Sequence, residues 1–60
     1  MNYNFTITSG NSTSSIKAQS PFDAAKFIAA RLGVSHDSIK YMDNRVYKIG
    51  DFDIEICLAV

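Results

Sequence analysis

Cysteine, histidine and long apolar runs are scarce in this sequence, and each scarcity closes off a class of protein. With Cys57 as its one cysteine, the chain cannot build an internal disulfide framework; its 60 residues must hold together through a core alone, as suits a reducing cytosol. No stretch approaches the roughly 18 apolar residues that span a bilayer. The opening MNYNFTITSG has neither the basic start nor the apolar centre of a secretion signal. A cytoplasmic protein is expected, in which the sequons Asn4-Phe5-Thr6 and Asn11-Ser12-Thr13 stay unmodified.

Charge of one sign is also missing, since the net charge is zero. Its layout is uneven: six cations against three carboxylates leave +3 over residues 1 to 50, and Asp51, Asp53 and Glu55 leave −3 over 51 to 60. A neutral total argues against avid non-specific nucleic-acid binding, which is driven by phosphate neutralisation, while leaving room for a local basic face.

Catalytic constellations are thin. The one histidine, His36, sits beside Asp37 in a polar turn, and Cys57 belongs to the outward set of an alternating strand without a neighbouring cation to activate it. Asp51, Asp53 and Glu55 share one side of a strand at spacing two, yet no glycine-containing loop wraps them as a calcium site needs. No phosphate loop, zinc spacing, nucleotide fingerprint or nucleophile elbow is present. The expectation is a non-enzymatic chain with no cofactor and no metal.

What the sequence does have is an ordinary globular balance, 47% hydrophobic and 20% charged, in a length that allows one small domain over residues 1 to 60. Tyr3, Phe5 and Ile7 alternate with Asn4, Thr6 and Thr8, predicting a strand over about residues 2 to 8. The polar stretch Ser9 to Ser14 predicts a chain reversal, and a second strand follows with Ile16 and Ala18 inward and Lys17 and Gln19 outward. Ser20-Pro21-Phe22-Asp23 is a helix start: a hydroxyl acceptor, a proline for the first turn, and a carboxylate at the positive dipole end. Gly33 can supply the left-handed residue that closes the helix, predicted over 21 to 32.

Beyond the turn Ser35-His36-Asp37, a strand over Ile39 to Met42, a tight turn at Asp43-Asn44 and a strand through Val46, Tyr47 and Ile49 are predicted, Asn44 tolerating positive φ. After Gly50-Asp51, Phe52, Ile54, Ile56 and Leu58 alternate with Asp53, Glu55 and Cys57 in the last strand. The order strand-strand-helix-strand-strand(-strand) predicts a two-layer α+β domain, one helix packed on one face of a mainly antiparallel sheet. A β-grasp arrangement, in which the first and last strands pair in parallel at the centre, is the alternative that the order also permits.

At 100° per residue, Phe22, Ala25, Ile28, Ala29 and Leu32 form the inward stripe of the helix. Phe27 then falls on the outer face with Asp23, Ala24, Ala30 and Arg31. An outward aromatic flanked by Lys26 and Arg31 has the composition of an interface hot spot, so Phe27 is a candidate protein contact. The sheet face away from the helix is predicted to show Asn4, Thr6, Lys17, Gln19, Lys40, Met42, Lys48, Asp53 and Glu55. It would serve nucleic acid only if aromatics projected from it, and the face of Tyr41 and Tyr47 depends on the register.

The stretch SIKAQSPFDAAKFIAARLG, followed by SIKYMDNRVYKIG and a last alternating strand, resembles the small anti-CRISPR proteins of bacteriophages. The likeness, over about residues 14 to 57, is to a type I-F inhibitor with one helix on a five-stranded antiparallel sheet. The resemblance implies tight binding to an interference complex through surface basic and polar residues, blocking its access to DNA in the host cytosol. Lys17, Lys26, Arg31, Lys40, Arg45 and Lys48 are the positions that could play this part. The neutral charge and acidic final strand depart from that pattern.

Three functions follow, the first with the most support. The first is a small binding protein, phage-encoded in the resemblance, that inhibits or modulates a larger host protein or ribonucleoprotein assembly by occluding a surface. The second is a nucleic-acid-binding module using the cations of residues 17 to 48. The third is a self-assembling homo-oligomer that pairs through Leu58-Ala59-Val60 or an open strand edge.

Overall fold

The computed structural model describes residues 2 to 59 and arranges them as β1 (Tyr3–Ser9), β2 (Ser12–Ala18), α1 (Pro21–Leu32), a single 3-10 turn (His36–Ser38), β3 (Ile39–Tyr41), β4 (Val46–Ile49) and β5 (Phe52–Leu58). The five strands form one sheet in the order β2-β1-β5-β4-β3, every neighbouring pair antiparallel. This is the expected α+β architecture. The β-grasp alternative is not adopted, for a reason of parity: three strands joined by tight turns follow the helix. The last of them therefore returns antiparallel to β1, with Ile7 opposite Ile56.

The helix has the predicted limits. Ser20 holds an extended backbone and its Oγ accepts from the Asp23 amide at 3.1 Å, which satisfies one of the free N–H groups of the first turn. At the other end Gly33 adopts φ 73°, and the Val34 amide donates back to the Ala29 carbonyl at 2.8 Å. Ser20→Ala should lower stability by about 1 kcal/mol, read as a shift of the urea midpoint at unchanged slope.

The expected polar loop from Ser9 to Ser14 is much shorter. Only Gly10 and Asn11 turn the chain, Gly10 at φ 60° as the first central position of a type II′ hairpin requires, and Ser12 to Ser14 belong to β2. These hydroxyl residues can be strand because β2 is the sheet's edge. Their backbones pair with β1 on one side, and their side chains remain in water.

The core lies between the sheet and α1. Phe5, Ile7, Ile49, Ile54 and Ile56 from the sheet meet Ala24, Ala25 and Ala29 from the helix, with Ile16, Ile28, Val34 and Ile39 packed around them. The helix is therefore rotated from its predicted orientation. Ala24, assigned to the outer face, is fully buried, whereas Phe22 and Leu32, assigned inward, are 44% and 42% exposed. Three methyl groups in one strip let the helix lie close on the isoleucines, an approach that a central phenylalanine or leucine would prevent. Phe22 instead lies outside with the Lys26 ammonium 5.3 Å from its ring centre.

Candidate functional site

The path of the helix creates the site. Since β2 and β3 form opposite edges of the sheet, α1 must cross every strand between them to join them. Twelve residues make a rod about 18 Å long and about 10 Å wide, whereas five strands span about 19 Å across and seven residues about 23 Å along. A diagonal rod of that size leaves two corners of the sheet's apolar face open.

Register defines which side chains reach that face. Tyr41 lies opposite Tyr47, Tyr47 opposite Ile54 and Ile49 opposite Phe52, so β3, β4 and β5 direct all of them toward the helix side. One corner is a hollow of about 370 Å³ lined by Phe5, Pro21, Tyr41, Arg45, Tyr47, Ile56 and Leu58. It shares Phe5, Pro21 and Leu58 with a smaller hollow of about 240 Å³ reaching Tyr3, Gln19 and Ser20, so the two form one groove. The other corner, about 290 Å³, is lined by Ile7, Ser9, Ser14, Ile28, Arg31, Leu32, Phe52 and Ile54. Tyr41 is 59% exposed, Leu58 54% and Phe52 49%, values that water-facing packing does not require of such large side chains.

Within the first corner the rings of Tyr41 and Tyr47 meet edge to face, centroids 5.1 Å apart at 61°. Burial, helped by the Tyr41 phenol, pushes the Tyr47 phenol above its ordinary value. Arg45 closes the corner from the β3–β4 turn. Its carbonyl accepts the Ile56 amide at 2.9 Å, and the Val46 amide donates to the Asp43 carbonyl at 2.9 Å. Both residues between Asp43 and Val46 are left-handed, Asn44 at φ 54° and Arg45 at φ 67°. Asn44 fulfils the sequence expectation. For arginine this backbone costs about 1–2 kcal/mol, which glycine at the same place would not incur.

The candidate residues read from the sequence do not converge on one surface. Phe27 is on the outer side of the helix, 52% exposed, as the helical periodicity predicts. Lys26 beside it turns to Phe22 and to Asp23, 4.0 Å away. Arg31 lines the second corner and Arg45 the first. Lys17, Lys40 and Lys48 are on the sheet face away from the helix, Lys17 on the β2 edge and the other two directly opposite one another. Asp53 faces Lys48 from β5, and Glu55 continues the same side of that strand, so the signs are mixed there.

With Tyr41 and Tyr47 on the helix side, the described strands place no aromatic on that open face, and it is not a base-stacking platform. His36 is exposed in the 3-10 turn, and Cys57 lies half-buried opposite Thr6. Among the described residues no group of three histidines, cysteines or carboxylates is placed to hold a metal ion. None of their helices is long and apolar enough to cross a membrane.

Alternation assigned Tyr3 and Phe52 to the core, the face of Tyr41 and Tyr47 rested on register, and Leu58 was named only for self-assembly through Leu58-Ala59-Val60, of which Val60 lies outside the described residues. A signal existed in the lengths: one short helix cannot cover five strands. No protein-family model matches the chain, and no curated protein or solved structure matches it.

Proposed function

We propose that this chain is a small protein-binding domain that acts by covering a surface of a larger partner rather than by chemistry. The observation that carries the reading is the pair of open corners, where Tyr41, Leu58, Phe52 and Leu32 stand large, apolar and exposed beside one arginine each. Aromatic residues and arginine are enriched in interface cores and hot spots, and Tyr41 with Arg45 and Phe52 with Arg31 supply both. A standard-size interface needs about 800 Å² from each partner, and the described surface totals 4261 Å², so one side of the domain suffices. The resemblance to phage anti-CRISPR proteins supports the version in which the partner is a host interference complex in the cytosol. Phe27, with Lys26 and Arg31 near it, extends the same helix-side surface.

Self-assembly is a second reading, favoured by β2. Its seven residues form a free edge whose guards against pairing amount to Lys17.

Affinity capture from lysate of the native host, comparing wild type with Tyr41→Ser/Leu58→Ser, Phe52→Ser/Leu32→Ser and Phe27→Ala, tests both readings. A stoichiometric partner retained by wild type and lost with one folded variant is the expected result. Recovery of the chain alone would support self-assembly, and retention of the partner by every variant would remove the helix-side surface from the proposal.

A further inference from the structure

The geometry points to the Tyr41 corner as a peptide site: we propose that it holds an extended acidic segment of the partner, with an apolar side chain between the tyrosines and a carboxylate on Arg45. The inference deepens the protein-binding reading and rests on it.

Three observations lead to this occupant. Arg45 is the sole charged side chain lining the hollow, so the complementary group is an anion. Its guanidinium offers a planar fork that matches a carboxylate. It is carried on a left-handed backbone that glycine would occupy without strain, and strain kept at one side chain beside an open hollow points to a use for that side chain. The remaining lining is Tyr41, Tyr47, Leu58, Phe5 and Pro21, an apolar and aromatic wall that suits an aliphatic or proline side chain. The groove continues past Leu58 to Tyr3, which suits an extended chain better than a compact small molecule. Asp43, in the turn that carries Arg45, does not line the hollow.

The test is a titration of the isotope-labelled full chain, followed by amide NMR, with the blocked peptide Glu-Pro-Leu-Glu-Glu and its counterpart Lys-Pro-Leu-Lys-Lys. Shifts confined to the groove, at Tyr41, Arg45, Tyr47 and Leu58 and on toward Phe5 and Tyr3, with the glutamate peptide, and none with the lysine peptide, are expected. Arg45→Gln, which removes the charge and keeps a shorter, unbranched polar side chain, should weaken binding by about tenfold, the effect of losing one charge-assisted hydrogen bond. Arg45→Gly should do the same in a domain at least as stable as wild type. Equal binding of the two peptides, no binding of either at millimolar concentration, or undiminished binding by folded Arg45→Gln would each overturn the proposal. A partner captured through Phe52 and Leu32 and unaffected by Arg45→Gln would overturn this site while leaving the protein-binding function in place.

Discussion

Ile49→Ala should leave much of the population unfolded in water. Ile49 is 0% exposed, one of the two largest side chains enclosed so completely, and it lines neither open corner, so water cannot refill the space left behind. Truncating such a residue costs about 2–5 kcal/mol, from lost transfer energy and from the cavity. A domain of this length has only about 3–9 kcal/mol to lose. Ile49→Val, which removes one methylene, should cost about 1 kcal/mol and remain folded. Urea titrations followed by far-UV circular dichroism separate the two. An unchanged midpoint for Ile49→Ala would mean that β4 does not seat this residue under the helix.

Ala24→Leu is the second large effect and decides the rotation of the helix. On the periodicity of the sequence alone, Ala24 lies outward and leucine there would be neutral. In the structure its methyl is fully enclosed against the sheet, and three further carbons must push the helix off the isoleucines. Overpacking of that kind costs about 1–3 kcal/mol. Ala30→Leu, on the exposed side of the same helix, should change stability by less than about 0.5 kcal/mol, since leucine and alanine are both good helix formers. Equal midpoints for the two leucine variants would refute the buried alanine strip.

The helix limits were legible because capping chemistry is local: Ser20, Pro21 and Gly33 each act within one turn of chain. The alternation of Phe52, Ile54, Ile56 and Leu58 was legible for the same reason, as was the left-handed Asn44. Helix rotation was not, because alanine is nearly indifferent to water, and Ala24 and Ala30 look alike until a sheet is placed beneath one of them. β2 was half hidden because Ser12, Thr13 and Ser14 carry no apolar alternation, and only their place at an edge explains their pairing. The candidate site was hidden more deeply. Tyr41 and Leu58 obey the alternation of buried residues and are exposed only because a diagonal helix misses them. Arg45 was read as one cation among six, and nothing in its neighbours announced a left-handed backbone.

The pairing of β1 with β5 at the centre of the sheet has a temporal consequence. Phe5 is paired in register with Leu58, and the Ala59 amide donates to the Asn4 carbonyl at 2.8 Å, so the middle of the sheet joins segments made at opposite ends of the described chain. During synthesis the β1–β2 hairpin and α1 emerge well before the strand that completes the layer beneath them. Until β5 leaves the ribosome, Phe5 and Ile7 have no neighbour on their inner side. The domain should therefore close late and in one step, with long-range pairing setting its speed.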